Sequence, residues 1–314
     1  GKPLDRNPCV VYLHGNSGSR LDADDYVEMY LSRGMNFFSV DLGGCGLSEG
    51  DYVTLGCRER EDVEVVLDFL KAQESVSYVA LYGRSMGAAT ALLVASDDRY
   101  YHCLSGLVLD SCYTSIRTVI QELAQKYVGK VPLIPVESMT DTAVDALLEV
   151  VEERTGFNID ECDIAKAASY CQAPVLLGHA ADDELVIPSH SKRLYDAYGG
   201  KKNIYFFDGD HNSVRPREFT TKALDFLESC FQHEADEARC SGSWWNNQEW
   251  RISQSCIKSL EGKDEAESDN FWSSLLSSLS DSNQARVVVV MMSLLVLALV
   301  YSLSPILESS LLYR

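Results

Sequence analysis

The residues best equipped for chemistry are a serine between two glycines, an aspartate and a histidine, each following an apolar run. In Gly83-Arg84-Ser85-Met86-Gly87 a strand-like run precedes the serine and a helix of small residues follows it. On a tight strand-to-helix turn the hydroxyl projects from the sheet's edge, and the helix start aims N–H groups and partial positive charge at the reacting centre. Side chains at the two glycine positions would collide with neighbouring backbone. A hydroxyl attacks only when a base takes its proton and an acid orients that base. His211, in Asp208-Gly209-Asp210-His211-Asn212, is the candidate base. Asp183 is the candidate acid, because it follows the run ending at His179; Asp182 and Asp110 are the alternatives. The backbone N–H groups of Met86 and Asn16 are the candidate oxyanion donors. His14 reads as a structural hydrogen-bonding residue, Asp210 as a turn residue, and Arg84 as an ion-pairing anchor for a loop or cap. His179 and His190 read as packing or surface residues. His102 and His233 lie in no motif that assigns them a role.

Positioning these groups requires a scaffold, and residues 8–232 alternate strand-like and helix-like segments. Strands are expected at 9–13, 37–42, 76–82, 104–109, 174–179 and 203–207. Helices are expected at 22–33, 58–71, 88–95, 189–198 and 219–230, with Val63, Val66, Leu67 and Leu70 on one face of the second. Alternation of this kind predicts a mostly parallel sheet with helices on both faces. Strands buried on both faces read as continuous apolar runs, as these do. Residues 113–170 interrupt the rhythm with helical patterns and no good strand, which predicts a helical cap inserted between two strands.

Composition narrows the function. The 314-residue chain carries 27 Lys plus Arg against 47 Asp plus Glu, a net charge of -20. That argues against nucleic-acid binding, which needs basic patches to neutralise phosphates. Gly44-Cys45-Gly46 lacks the full spacing of a dinucleotide loop, and residues 14–20 lack the Gly-Lys-Ser/Thr ending of a phosphate loop. The acidic clusters at 22–28 and 59–64 read as solvated helix faces. The ten cysteines form no Cys-x-x-Cys pair and several lie in apolar runs, so buried, reduced thiols in a cytosolic compartment are expected.

Beyond the hydrolase-like domain at 1–232, residues 233–285 read as a polar linker. Within it Trp272, Leu275, Leu276 and Leu279 share one helical side. Residues 286–307 read as a transmembrane tail anchor, followed by a short tail at 308–314. The apolar run from Val287 would span roughly 31 Å as a helix, the thickness of a hydrocarbon core. Such an anchor leaves the preceding domain facing the cytosol; the alternative is a cytoplasmic protein.

The runs Val11-Tyr12-Leu13-His14-Gly15-Asn16-Ser17-Gly18, Gly83-Arg84-Ser85-Met86-Gly87 and Asp208-Gly209-Asp210-His211-Asn212 resemble the serine-aminopeptidase-like branch of the α/β-hydrolase superfamily, which includes monoacylglycerol-lipase-like and depalmitoylase-like enzymes. The chain order Ser, Asp, His is that of the superfamily. The resemblance implies an α/β-hydrolase fold and a hydrolase free of metal and cofactor. An anchored hydrolase with a helical cap points to an acyl-bearing small-molecule, lipid or lipidated-protein substrate. Full-length members have eight strands, and those that come first have no counterpart before Cys9, which reads as a chain lacking its N-terminal part. The alternatives are a non-catalytic, membrane-tethered interaction module built on the same fold and a serine aminopeptidase.

Overall fold

The computed structural model describes residues 6–100, 102–128 and 136–241. The chain divides into two units, Gly1–Asp236 and Glu237–Arg314. In the first, six strands form one sheet: β1 (Asn7–Leu13), β2 (Asn36–Val40), β3 (Val76–Arg84), β4 (Leu104–Asp110), β5 (Val175–Ala180) and β6 (Lys202–Phe207). Their spatial order is β2-β1-β3-β4-β5-β6, and every neighbouring pair is parallel. β4 and β5 are buried throughout, whereas the edge strands β2 and β6 are only partly covered. The apolar runs that announced the strands are therefore densest at the centre, where helices cover both faces.

The helices are α1 (Asp24–Leu31), α2 (Glu59–Lys71), α3 (Met86–Ala95), α4 (Ile116–Val128), α5 (Val136–Thr155), α6 (Ile164–Tyr170), α7 (Ser189–Ala197) and α8 (Arg217–Ser241). Alternate strand residues point to opposite faces. Val10, Tyr12, Ala80, Tyr82, Val108 and Leu176 meet Tyr26 and Tyr30 of α1 and Phe219, Ala223 and Leu227 of α8 in one core cluster. Phe219 fills the space over Gly178, where a Cβ would lie 2.2 Å from the ring. α3 packs against β1, β3 and β4 and against α2 and α6, and all ten of its residues are buried. Its small side chains permit that position. α8 continues past Cys230, where the apolar pattern of the sequence stops, to Ser241.

Between β4 and β5 lie α4, α5, a 3-10 turn at Ile159–Glu161 and α6. α6 packs on α3 and α7 and so belongs to the layer that covers the sheet. α4 and α5 pack on each other. Arg117 of α4 joins the segment to itself through Asp145 and Asp160, both at 2.5 Å. Several side-chain contacts join it to the base. Glu122 meets His190 at 2.7 Å and Arg193 at 3.0 Å, Lys126 meets Glu184 at 2.6 Å, and the Tyr113 hydroxyl donates to the Leu55 carbonyl. His190 is buried; its Nδ1 accepts the Thr114 N–H at 3.1 Å, which leaves its Nε2–H for Glu122.

The expectation that the cysteines are all reduced needs correction. Cys57 and Cys162 form a disulfide, with Cα atoms 5.9 Å apart. It joins the loop before α2 to the segment before α6. Their separation of 105 residues is why no spacing pattern betrays the pair. Cys9, Cys45, Cys103, Cys112, Cys171 and Cys230 are free. Burial pushes the thiols of Cys9 and Cys171 up to about 12, so both remain protonated at neutral pH.

Among the described residues no helix is long and apolar enough to cross a membrane. The expected anchor at 286–307, the short tail at 308–314 and most of the 233–285 linker lie outside those residues.

The Tyr30 hydroxyl, at 0% exposure, has no hydrogen-bond partner among the described residues. A buried hydroxyl left unpaired costs about 1–3 kcal/mol. Tyr30→Phe is therefore expected to raise the unfolding free energy by about 1 kcal/mol. Urea denaturation checks this; a lower midpoint at unchanged slope would contradict it.

Candidate active site

Ser85 sits between β3 and α3 with φ 50° and ψ −111°. A non-glycine residue at such angles is strained and persists only where its surroundings enforce it. The enforcement is visible. A Cβ on Gly83 would lie 2.2 Å from the Gly87 carbonyl oxygen, and one on Gly87 would lie 2.1 Å from that of Leu13. The first turn of α3 is thus pressed onto β1 and β3, and the chain can enter the helix only through a sharp turn. The Ser85 N–H donates to the Asp110 carbonyl at 2.8 Å, and its carbonyl accepts from Ala88 and Ala89.

His211 lies on the loop after β6. Its Nε2 is 3.0 Å from Ser85 Oγ, and its Nδ1 is 2.6 Å from Asp183 Oδ2. A carboxylate only accepts, so the ring proton sits on Nδ1 and Nε2 faces the hydroxyl as an acceptor. Asp183 follows β5 and is 3% exposed. Its Oδ1 accepts the N–H groups of Leu185 at 3.0 Å and Val186 at 2.8 Å. Burial alone would raise its pKa. Hydrogen bonds from His179 and His211, electrostatic attraction to His211 and the Val186 N–H outweigh burial and hold the carboxyl well below the usual carboxylate range.

The two alternative acids do other things. Asp182 is exposed, and its N–H ties the loop to the Gly209 carbonyl at 3.0 Å. Asp110 is fully buried and pairs with Arg215 at 2.7 Å. Asp210 accepts the N–H groups of Asn212 and Ser213, both at 2.8 Å, as a turn residue does.

The loop after β1 abuts the serine turn: a Cβ on Gly15 would lie 3.7 Å from Ser85 Cβ. His14 is wholly buried. Its Nε2 accepts the Leu42 N–H at 3.0 Å, so its Nδ1–H donates to the Gly15 carbonyl at 2.7 Å. It holds the loop that carries Asn16, which is exposed. Met86 opens α3, and the first carbonyl of the helix, that of Ser85, serves the N–H groups of Ala88 and Ala89 rather than that of Met86.

Three neighbours of the site do more than the sequence suggested. His179 is not a passive packing residue. Its Nδ1 faces Ser191 Oγ at 2.7 Å, and its Nε2 lies 2.7 Å from the Val186 carbonyl and 3.4 Å from Asp183 Oδ2. It therefore braces the carboxylate loop. Arg84, expected to form an ion pair, instead donates to the His211 carbonyl at 3.0 Å. Arg215, which no motif singled out, donates to the same carbonyl at 3.1 Å.

The comparisons agree with this architecture. Residues 5–149, the span that contains Ser85, match the family described as serine aminopeptidase, S33. The esterase Pf2001 of Pyrococcus furiosus superposes with a TM-score of 0.54 at 21% identity, over 71% of this chain and 83% of its own. The sequence match and the shared architecture support a place in the α/β-hydrolase superfamily. Among curated proteins, the uncharacterized protein YqkD of Bacillus subtilis is 26% identical over 216 residues, 67% of this chain and 66% of YqkD. Lysophosphatidylserine lipase ABHD12 of Xenopus tropicalis is 30% identical over 194 residues, 60% of this chain and 46% of the lipase. The chain thus matches between about half and two thirds of the length of these curated relatives.

The depressed Asp183 carboxyl gives a pH signature. A carboxyl whose folded pKa lies below its unfolded value, about 3.9, stabilises the fold above that value and loses this contribution as pH falls toward the folded one. The stability deficit of Asp183→Asn relative to wild type is expected to be full at pH 7 and to shrink below about pH 4. Denaturation of both proteins at pH 7 and pH 3 measures it; a constant deficit would contradict the assignment.

Proposed function

We propose that this α/β hydrolase cleaves an ester, thioester or amide through an acyl-enzyme on Ser85. The observation that carries the reading is the unbroken line from Ser85 Oγ through the His211 ring to Asp183, with contacts of 3.0 and 2.6 Å. In this mechanism His211 Nε2 takes the Ser85 proton as Oγ attacks the carbonyl carbon. Asp183 keeps the proton on Nδ1 and stabilises the imidazolium. The tetrahedral oxyanion lies against the N–H groups of Met86 and Asn16. His211 then passes its proton to the leaving group, and the acyl-enzyme remains. Water, deprotonated by His211, attacks the acyl carbon, the C–O bond to Ser85 breaks to release the acid, and His211 returns the proton to Ser85 Oγ.

A lipid or lipidated-protein substrate is the favoured class. Two features support it: the ABHD12 relative is named a lysophosphatidylserine lipase, and the 287–307 run has the length and composition of a tail anchor that would hold the domain at a membrane's cytosolic side. The insertion around α4 and α5 would then select among acyl groups.

A fluorophosphonate probe is expected to label the full chain and to leave Ser85→Ala unlabelled. Esterase activity of Ser85→Ala should fall by at least about 10³-fold. A panel of ester, thioester and aminopeptidase substrates of graded chain length then defines the class. Absence of labelling in the intact protein, or equal labelling of the variant, would favour the non-catalytic interaction module. Deleting residues 286–314 should move the protein from the membrane fraction to the soluble one. A full chain already soluble at high salt would refute the anchor.

A further inference from the structure

Asp110 stands at the end of β4 and belongs to neither the Ser85–His211 nor the His211–Asp183 contact, yet it touches both sides of the site. Its carbonyl accepts the Ser85 N–H at 2.8 Å. Its Oδ2 accepts Arg215 Nε at 2.7 Å, and its Oδ1 accepts the Ser111 hydroxyl at 3.1 Å. Arg215 spends the rest of its fork on the loop that carries the histidine. Nη1 donates to the carbonyls of Asp210 at 3.0 Å and Ser213 at 2.9 Å, and Nη2 donates to that of His211 at 3.1 Å. Nη2 also lies 3.3 Å from Ser111 Oγ, and the guanidinium carbon sits 5.2 Å over the Phe207 ring. Both ion-pair partners are buried, Asp110 fully and Arg215 at 6% exposure. From the other side Arg84, the residue before the serine, donates to the same His211 carbonyl at 3.0 Å.

These bonds close a ring: Ser85 N–H to Asp110, Asp110 to Arg215, Arg215 to the His211 carbonyl, and His211 Nε2 back to Ser85 Oγ. We infer that the Asp110–Arg215 pair, with Arg84, is a positioning device that sets the separation of base from nucleophile. This rests on the hydrolase reading above. The chemistry favours a device over simple packing. A buried ion pair contributes little net stability compared with apolar side chains of the same volume. A planar five-donor fork, by contrast, fixes the direction of several carbonyls at once, which a lysine ammonium cannot do.

The test uses the full chain with Arg215→Lys, which keeps the charge and loses the fork, and Arg84→Met, a milder change at a half-buried residue. Three quantities are read for each: the rate constant of Ser85 labelling by a fluorophosphonate probe, the labelled end-point, and kcat and KM on an ester. Misplacing a catalytic group by about 1 Å costs on the order of 100-fold. Arg215→Lys is therefore expected to slow labelling and kcat by about 10- to 100-fold, with the end-point retained and KM within about twofold. Arg84→Met is expected to slow both by about 3- to 10-fold, since one of two donors remains. A purely structural role would lower the end-point and leave the rate constant of the surviving molecules unchanged; that result overturns the inference. So does a folded variant that labels at the wild-type rate. If Arg215→Lys does not fold, Arg84→Met decides alone by the same criteria. Failure of the wild-type chain to label is a different outcome: it sinks the hydrolase reading, and this inference with it.

Discussion

The site rests on a steric constraint, the contact between the first turn of α3 and the ends of β1 and β3. Backbone atoms approach there to distances at which a Cβ has no room, and only Gly83 and Gly87 satisfy them. The close approach forces the φ of 50° at Ser85, and that angle lifts the hydroxyl clear of the sheet. The strain costs of order 1–3 kcal/mol. It is sustained by the buried length of α3, whose ten residues are all removed from solvent.

From that fixed point the other groups are placed by strands. His14, Ser85, Asp183 and His211 follow β1, β3, β5 and β6, all at one end of an all-parallel sheet. Backbone partners then restrict each side chain: two N–H groups hold Asp183, and two arginines hold the His211 carbonyl. His179 closes the set from beneath the carboxylate. Few rotations remain, which is the preorganisation that acid–base chemistry at a surface hydroxyl requires.

How much of this was legible follows from the range of each signal. Apolar runs are local, so β3 through β6 were placed within a residue or two at each end. The glycine–serine spacing is local too, and it marked the strained turn. Arg84 and Arg215 were opaque because their acceptor is a backbone carbonyl, which carries no residue-type signature. Asp110 drew attention for its place at a strand end, but its partner lies 105 residues away in sequence. The Cys57–Cys162 bond was hidden for the same reason. His179 was underrated because a histidine at the end of an apolar strand looks the same whether it packs or braces. The end of α8 was missed because its last turns lack the apolar stripe that marked its start.

The serine turn and α4 are fastened by different forces. The turn at Ser85 is locked by close backbone contacts, whereas α4, besides burying Ile116, Leu123 and Ala124, meets the base through charged pairs: Lys126 with Glu184, and Glu122 with Arg193 and His190. Glu184 is 80% exposed and Arg193 45%, so these seats lie open to counterions. Exposed pairs of this type contribute only about 0–1 kcal/mol each and weaken as salt screens them. Ionic strength therefore weakens these contacts of α4 while the buried bonds among Ser85, His211 and Asp183 stay largely unscreened.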